Sequence, residues 1–143
     1  MLVSEVMTRD VKIADPDMSI GAAAKIMEKI DSGFLPVGEN DRLVGTITDR
    51  DIAIRAVGHG KGPETKVRDI MTRDVKYCFE NEDIAGVAAN MADIQVRRLP
   101  VVNADKRLVG VLSLGDLATE TATKREAEEA LSGISEPPHQ AMH

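Results

Sequence analysis

The apolar positions change spacing in a regular order along the first half of the chain. Residues 19–31 carry apolar side chains at intervals of three and four, which predicts a helix. Residues 34–37 and 43–48 are short apolar runs on either side of a polar turn, so they predict two strands joined as a hairpin. Helical spacing resumes over residues 49–57. With an apolar run at residues 11–13 as a first strand, the predicted order is strand, helix, strand, strand, helix.

The second half of the chain repeats this order. An apolar run at residues 76–79 is followed by a predicted helix over residues 83–93 and by strands over residues 98–102 and 107–112. A final helix is predicted to begin near Leu114 and to continue into the strongly polar stretch that follows.

The repetition is also literal, because residues 7–12 and 71–76 both read Met-Thr-Arg-Asp-Val-Lys at an offset of 64 positions. The offset becomes 65 at residues 108–110, and we place the additional residue in the turn before them, where a change of length costs little. A copy of roughly 60 residues is marginal on its own, so we expect the copies to share apolar surface in one pseudo-symmetric domain. The predicted division is a first motif at 1–60, a linker at 61–66, a second motif at 67–122 and a helical or disordered tail at 123–143.

The composition favours a soluble, cytoplasmic protein. The chain of 143 residues carries a formal net charge of −6, which argues against broad binding of nucleic acid or of an anionic membrane. No apolar run reaches the roughly 20 residues of a membrane span, and the N-terminus lacks the apolar stretch of a signal peptide. The single cysteine, Cys78, cannot form an intramolecular disulfide, and its apolar neighbours predict a packed thiol.

Three short motifs recur in register in both copies. They are Val6-Met7-Thr8 and Ile70-Met71-Thr72, then Leu35-Pro36-Val37 and Leu99-Pro100-Val101, then Leu-Val-Gly at residues 43–45 and 108–110. In this order, from about residue 3 to residue 118, the sequence resembles the cystathionine-β-synthase (CBS) domain pair, or Bateman module. The resemblance implies an α+β fold of tandem β-α-β-β-α repeats, packed through their sheets with pseudo-twofold symmetry.

The same resemblance implies a function. CBS pairs look like regulatory sensors that bind an adenosine nucleotide or a related ligand in a cleft between the two motifs. This chain would then be a stand-alone module that forms a homodimer and acts on an unidentified effector protein. The expected ligands are AMP, ADP, ATP, NAD and S-adenosylmethionine.

The tetrad Thr48-Asp49-Arg50-Asp51 carries the chemistry expected of such a site. It follows a predicted strand and opens a helix, so backbone N–H groups and the positive end of the helix favour an anion there. A threonine hydroxyl can donate to phosphate, and a carboxylate one turn later can accept from ribose hydroxyls. The resemblance assigns these roles to Thr48 and Ser113 for phosphate and to Asp51 and Asp116 for ribose.

A second interpretation of the tetrad requires no ligand. A serine or threonine followed three residues later by an acidic residue is also a helix capping box. Capping and ligand binding can coexist, so both interpretations stay open at this point.

The two copies differ in their charged residues. Arg50 is a candidate phosphate contact, yet Gly115 occupies the matching position of the second copy. Arg98, also a candidate, takes the place of Phe34. Either arginine is equally compatible with a solvated surface position. We therefore expect two unequal sites, of which at most one binds tightly.

Aromatic residues make up 2% of the chain, so a base would be held mainly by aliphatic side chains and backbone edges. The resemblance places the base against the first strand and against the residue that precedes the proline of Leu-Pro-Val. The matching residues are Val11, Ile13, Val75, Tyr77, Leu35 and Leu99. Each also suits a packed core, and Tyr77 alone adds a ring and a hydroxyl.

No arrangement typical of an enzyme is present in the sequence. Serine, cysteine and histidine do not occur in the known nucleophile patterns, and the glycines at residues 58–62 lack the spacing of a phosphate-binding loop. His139 and His143 lie in a proline-rich tail. We predict no catalytic residues, no metal site and no required cofactor, with the adenosine nucleotide as a regulatory ligand. The alternative function is a protein-interaction or dimerisation module with empty clefts.

Overall fold

A computed structural model of the protein describes residues 1–118 and Leu131, and these residues fall into two compact units. The central unit is Lys12–Val75. The split unit joins Met1–Val11 to the described residues from Lys76 onward. Each unit therefore takes a short opening segment from the other sequence copy, so the units do not coincide with the repeats.

The central unit contains helix α2, a hairpin and a second helical region. Its elements are α2 (Ile20–Ile30), β1 (Phe34–Glu39), β2 (Arg42–Thr48), α3 (Asp49–Asp51), a π-helical turn (Ile52–Ala56), a 3₁₀ turn (Val57–His59) and α4 (Val67–Ile70). Strands β1 and β2 are antiparallel, which confirms the predicted hairpin. Helix α2 is also confirmed, because Ser19 caps its first turn by accepting a hydrogen bond from Ala22 N at 3.1 Å.

The split unit contains a matching helix and hairpin and one additional short strand. Its elements are α1 (Val3–Val6), β3 (Cys78–Phe79), α5 (Ile84–Ile94), β4 (Arg98–Val102), β5 (Leu108–Ser113) and α6 (Leu114–Ala118). Strand β3 pairs parallel to β4, and β4 pairs antiparallel to β5. The predicted helix, hairpin and start of the last helix are confirmed. The predicted continuation of that helix and, apart from Leu131, the predicted tail lie outside the described residues.

The predicted first strand of the first copy is wrong. Only Ala14 forms an isolated parallel bridge, to Val37, whereas the second copy has the short strand β3 at the matching position. In the split unit the ladder continues because Glu80 N donates to Val102 O at 2.9 Å. Pro16 matches Glu80 and has no N–H, so the ladder of the central unit cannot extend past Ala14.

The helix predicted over residues 49–57 forms, with changing geometry. It passes from α3 through the π-helical turn into the 3₁₀ turn, and it ends at Gly60, whose φ of 74° suits glycine. The helical region therefore ends just before the predicted linker at residues 61–66. This linker lies along the start of α2, because Pro63 O and Thr65 O accept hydrogen bonds from Gly21 N and Ile20 N.

Each unit has its own buried apolar cluster. That of the central unit contains Ala14, Ile20, Ala23, Met27, Leu35, Val37, Ile47, Ala56, Val67, Ile70 and Met71. That of the split unit contains Val3, Met7, Cys78, Ile84, Val87, Ala88, Met91, Leu99, Val101, Leu112, Leu114 and Leu117. Burial raises the pKa of the Cys78 thiol to about 12, so the thiol stays neutral and packed, as the sequence predicted.

Helix length bears on membrane insertion. Within residues 1–118 and Leu131, no helix is both long enough and apolar enough to cross a bilayer.

Candidate functional site

The tetrad of the central unit forms a capping box where β2 passes into α3. Asp51 N donates to Thr48 Oγ1 at 3.1 Å, and Thr48 N donates to Asp51 Oδ2 at 3.0 Å. The two residues thereby satisfy one another's backbone N–H groups at the start of the helix. The capping interpretation of the first tetrad is confirmed.

The tetrad of the split unit has the same geometry where β5 passes into α6. Asp116 N donates to Ser113 Oγ at 3.1 Å, and Ser113 N donates to Asp116 Oδ2 at 3.1 Å. All four residues are half-buried, so the hydroxyls and carboxylates lie at the surface of each unit in a fixed orientation. A hydroxyl that accepts one hydrogen bond keeps its own hydrogen for donation to another acceptor. Capping therefore orients these groups without using up their hydrogen-bonding capacity.

The carboxylate of Asp51 has a second neighbour. Its side chain is 14% exposed, and Arg55 Nε lies 3.8 Å from its Oδ1 atom. One oxygen of the carboxylate therefore belongs to the capping box and the other faces a guanidinium group. This neighbour was missed by the sequence argument, although spacing of four residues on a helix is the signal for such a pair.

The two tetrads differ in the residue that follows the hydroxyl. In the central unit Asp49 N donates to Gly33 O at 2.9 Å, and a Cβ atom at Gly33 would overlap the Asp49 carboxylate. In the split unit Leu114 N donates to Arg97 O at 3.0 Å. The backbone hydrogen bond is therefore common to both units. The side chains differ, because Asp49 and Gly33 of the central unit are matched by Leu114 and Arg97 of the split unit.

The candidate arginines lie beside the tetrads in different ways. Arg98 is exposed, begins β4 and pairs with Ser113 across the two strands, so the two residues are cross-strand neighbours. Arg50 is an exposed residue of α3 inside the first tetrad. Its backbone N–H donates to the Asp49 carboxylate at 2.8 Å. One candidate arginine therefore lies within the first tetrad, and the other lies on the strand paired with the second tetrad.

The six candidate base contacts divide by burial. Leu35 and Leu99 are buried in the two cores, opposite Ile47 and Leu112, so only their backbone can face a ligand. Val11 and Val75 are half-buried at the ends of the two opening segments.

Ile13 and Tyr77 are the accessible members of this set. They occupy matching positions of the two copies, and each is 39% exposed. The Tyr77 ring also meets Phe79 edge to face, with 5.7 Å between ring centroids. Of the six residues, these two are the exposed ones, so their side chains offer the most surface to a base.

The structure also explains the repeated Met-Thr and Leu-Val-Gly motifs, to which the sequence assigned no chemical role. Met71 and Thr72 lie against Gly45 of β2, where an added Cβ atom would come within 2.8 Å of Met71 Sδ and of Thr72 O. Thr72 N donates to Thr46 O at 2.8 Å, and Thr46 N donates to Thr72 O at 3.0 Å. Thr8 and Val111 exchange the same two hydrogen bonds in the split unit, where Met7 packs on Gly110. A glycine inside a strand is the sequence signal for such close backbone approach.

The family model named "CBS domain" matches residues 3–58 and 67–122. The chain belongs to the CBS domain family. This match confirms the resemblance drawn from the repeated motifs, and it fits the α+β mixture of short helices and small sheets described above.

Individual relatives of this CBS domain pair cover nearly its whole length. The CBS domain-containing protein YhcV of Bacillus subtilis (strain 168) is 36% identical over 141 residues, which cover 99% of this chain and 98% of that protein. The crystal structure of Hypoxic Response Protein I with two coordinated zinc ions has a TM-score of 0.76 and 33% identity, covering 84% of this chain and 98% of the other.

A third similar protein was solved with bound ligands. The CBS domain pair of protein MJ0100, in complex with 5′-methylthioadenosine and S-adenosyl-L-methionine, has a TM-score of 0.74 and 31% identity. The similarity covers 87% of this chain and 98% of that chain.

One of the similar structures holds two coordinated zinc ions. Within residues 1–118 and Leu131 of this CBS pair, no three histidine, cysteine, aspartate or glutamate side chains are grouped so that they could hold a metal ion. His139 and His143 lie outside the described residues.

Proposed function

We propose that this CBS domain pair is a regulatory module, without catalytic activity, that binds an adenosine nucleotide or a related adenosine ligand. The hydroxyls of Thr48 and Ser113 would donate to phosphate, and the carboxylates of Asp51 and Asp116 would accept from ribose. The observation that carries the proposal is the duplicated tetrad. Its hydroxyl and carboxylate make the same two capping hydrogen bonds in both units, and the bond lengths agree to within 0.1 Å.

The chemistry of the tetrad supports an adenosine ligand over a simple anion. A phosphate alone would be served by the hydroxyl, whereas a carboxylate at the same place repels it. A ligand that carries both an anionic group and a ribose diol uses both side chains. The CBS pair of protein MJ0100, which is 31% identical, was solved with two adenosine ligands, and this supports the same class here.

The basic residues support unequal affinities at the two tetrads. Arg98 pairs with Ser113 across two strands, whereas Arg50 lies between Thr48 and Asp51 along α3. The Asp49 carboxylate adds a negative charge to the first tetrad, while Leu114 adds none to the second. We therefore expect the more highly phosphorylated ligands to prefer the tetrad of the split unit.

The binding test is calorimetric titration of the full chain with AMP, ADP, ATP, NAD and S-adenosylmethionine, each up to millimolar concentration. Asp51→Asn and Asp116→Asn are the informative variants, because asparagine can keep the capping acceptor but lacks the negative charge that a ribose diol prefers. We expect one variant to lower the affinity for AMP by at least about tenfold, as for a lost hydrogen bond to a charged group. Absence of binding for all five ligands would refute the proposal.

The alternative is an interaction module without a ligand. The capping boxes are complete in themselves, and this is the observation that favours it. The same calorimetry separates the two functions, since an interaction module gives no heat with any of the five ligands, while its Thr48 and Ser113 variants still lose stability.

We also propose that the chain forms a homodimer and acts on an effector protein. Two apolar side chains of the central unit support an interface, because Ile54 is 49% exposed and Val57 is 68% exposed one turn later. Sedimentation velocity on the full chain and on Val57→Asp tests the dimer. We expect a dimer that dissociates in the variant, and a monomeric parent chain would contradict the proposal.

A further inference from the structure

Arg55 joins the first tetrad to the opening segment that the central unit takes from the second copy. It lies in the π-helical turn that follows Asp51, with its Nε atom 3.8 Å from Asp51 Oδ1. Its Nη1 atom donates to Met71 O at 3.2 Å and to Ile70 O at 3.4 Å. One guanidinium group therefore contacts the proposed ribose carboxylate and the end of α4 at the same time.

The contacts at α4 satisfy acceptors that the helix leaves open. The last carbonyls of a helix have no partner within it, and a guanidinium group with five N–H donors can serve them. Met71 O belongs to the residue whose sulfur packs on Gly45, and Thr72 continues from it into the exchange of hydrogen bonds with Thr46. Arg55 thus holds the part of the segment that docks on β2.

A ligand on Asp51 would compete for the same oxygen. The capping box occupies Oδ2 through Thr48 N, so a ribose hydroxyl that donates to Asp51 approaches Oδ1, the atom that faces Arg55. The geometry points to Arg55 as a positioning residue that transmits occupancy of Asp51 to residues 67–72, loosening that segment when ligand binds. The effect of ligand in this inference rests on the proposed function, whereas the link from Asp51 to α4 through Arg55 does not.

The sequence confines this link to one tetrad. The offset of 65 places Glu120 at the position of Arg55 in the second copy, and Glu120 lies outside the described residues. A carboxylate has no N–H with which to serve a helix carbonyl. The two tetrads, alike in their capping bonds, are therefore expected to differ in what their occupancy changes elsewhere in the chain.

The test is amide hydrogen exchange over residues 67–72 in the full chain, with and without saturating AMP. The amides of Met71 and Thr72 are suitable reporters because they donate to Val67 O at 2.9 Å and to Thr46 O at 2.8 Å. We expect AMP to speed their exchange by about fivefold, at the low end of the range for coupled sites. In Arg55→Ala the exchange is faster from the outset and AMP adds no further change, although AMP still binds.

Arg73→Ala is the matched control. Arg73 holds the same helix through a hydrogen bond from Nη2 to Arg68 O at 3.1 Å, but it lies outside the tetrad. This variant is expected to speed exchange in α4 and to retain the response to AMP. A response that persists equally in Arg55→Ala, or no response in the parent chain when AMP is bound, would overturn the inference.

A measurement without ligand separates this inference from the proposed function. Asp51→Asn alone is expected to speed exchange at Met71 and Thr72 in the parent chain and to have no effect in the Arg55→Ala background. If none of the adenosine ligands binds while this dependence is observed, the proposed function fails and the link through Arg55 stands. Equal effects of Asp51→Asn in both backgrounds would refute the link itself.

Discussion

The opening segments of the two units use the same backbone contacts and different side chains. In the split unit Val3 N and Ser4 N donate to Glu82 O and Glu80 O, both at 2.9 Å. In the central unit the matching donors, Val67 N and Arg68 N, reach Met18 O at 2.8 Å and Pro16 O at 2.9 Å. The difference begins at the side chains, where Arg68 takes the place of Ser4.

Arg68 forms an ionic contact between the opening segment of the central unit, here called the central segment, and the rest of that unit. Its Nε and Nη2 atoms both lie 2.8 Å from Asp17 Oδ1, and Nη2 is 3.7 Å from Glu39 Oε2. The positions that match Asp17 and Glu39 in the second copy are Asn81 and Asn103, so the split segment has no counterpart of this ionic group. The comparison shows that duplication retained the backbone docking, while the side chains around it diverged.

The largest expected effect tests the contact that both units share. Gly45→Ala and Gly110→Ala each place a Cβ atom within 2.8 Å of a methionine sulfur and a backbone carbonyl, and the carbonyl cannot move without breaking the paired hydrogen bonds. We expect each variant to lower the free energy of unfolding by about 2 to 3 kcal/mol, measured by urea denaturation. Similar losses in the two variants would support equal docking of the two segments.

Gly86→Ala is the control for this experiment. Gly86 is an exposed residue of α5, and an added Cβ atom would meet nothing within 4 Å. We expect a gain of about 0.5 to 1 kcal/mol, because alanine is the better helix former. A loss at Gly45 no larger than at Gly86 would show that the segments do not dock on these glycines.

The second prediction concerns the carboxylate beside Gly33. Gly33→Ala overlaps the Asp49 carboxylate, which is held by the N–H of Arg50, so we expect a loss of about 1 to 2 kcal/mol. In an Asp49→Leu background, which copies Leu114 of the split unit, the same change should cost less than about 0.5 kcal/mol. A double-mutant cycle of unfolding free energies measures the difference. Additive effects would mean that the exchange of Gly33 and Arg97 is unrelated to residue 49.

The third prediction concerns the capping boxes. Thr48→Ala and Ser113→Ala each remove the side-chain acceptor of an N–H at the start of a helix, at a cost of about 1 kcal/mol in unfolding free energy. Thr48→Ser keeps the hydroxyl and is expected to cost much less. Capping is common to both tetrads, so the two alanine variants should lose similar stability. A difference between them in affinity for AMP would then show that the tetrads differ in ligand binding and not in capping.

The sequence predicted most of the elements because their signals are local. Helix α2, helix α5 and both hairpins follow from apolar spacing and from turn residues, and the hydroxyl and carboxylate of each tetrad follow from one short motif. The predicted first strand of the central unit does not form because Pro16 has no N–H. This matters only once the partner strand is known, so the sequence alone did not reveal it.

The exchange of opening segments had no local signal. The motifs are the same in both copies. The sequence therefore gives no reason for residues 1–11 to pack on the hairpin of the second copy and not on that of their own copy. The link from Asp51 through Arg55 to Met71 depends on that exchange, so it was equally inaccessible. Duplication thus makes the elements easy to predict and their pairing hard to predict.

The smallest expected effect tests the ionic difference between the opening segments. The Arg68 guanidinium lowers the pKa of Asp17 from its ordinary value of 3.8, first through their hydrogen bond and then through charge attraction. A carboxylate whose pKa is lowered by folding stabilises the folded state above pH 4, and this contribution is lost as the pH falls through the folded pKa.

Asp17→Asn copies Asn81 of the split unit, and it should lower the melting temperature slightly at pH 6, with a penalty that shrinks as the pH falls below 4. The pair is at the surface, so 1 M salt should erase most of the difference. Asn81→Asp is the reciprocal control, because Ser4 stands where an arginine would be needed to pair with it. An Asp17→Asn penalty that is independent of pH and salt would mean that packing, and not charge, distinguishes the central segment from the split one.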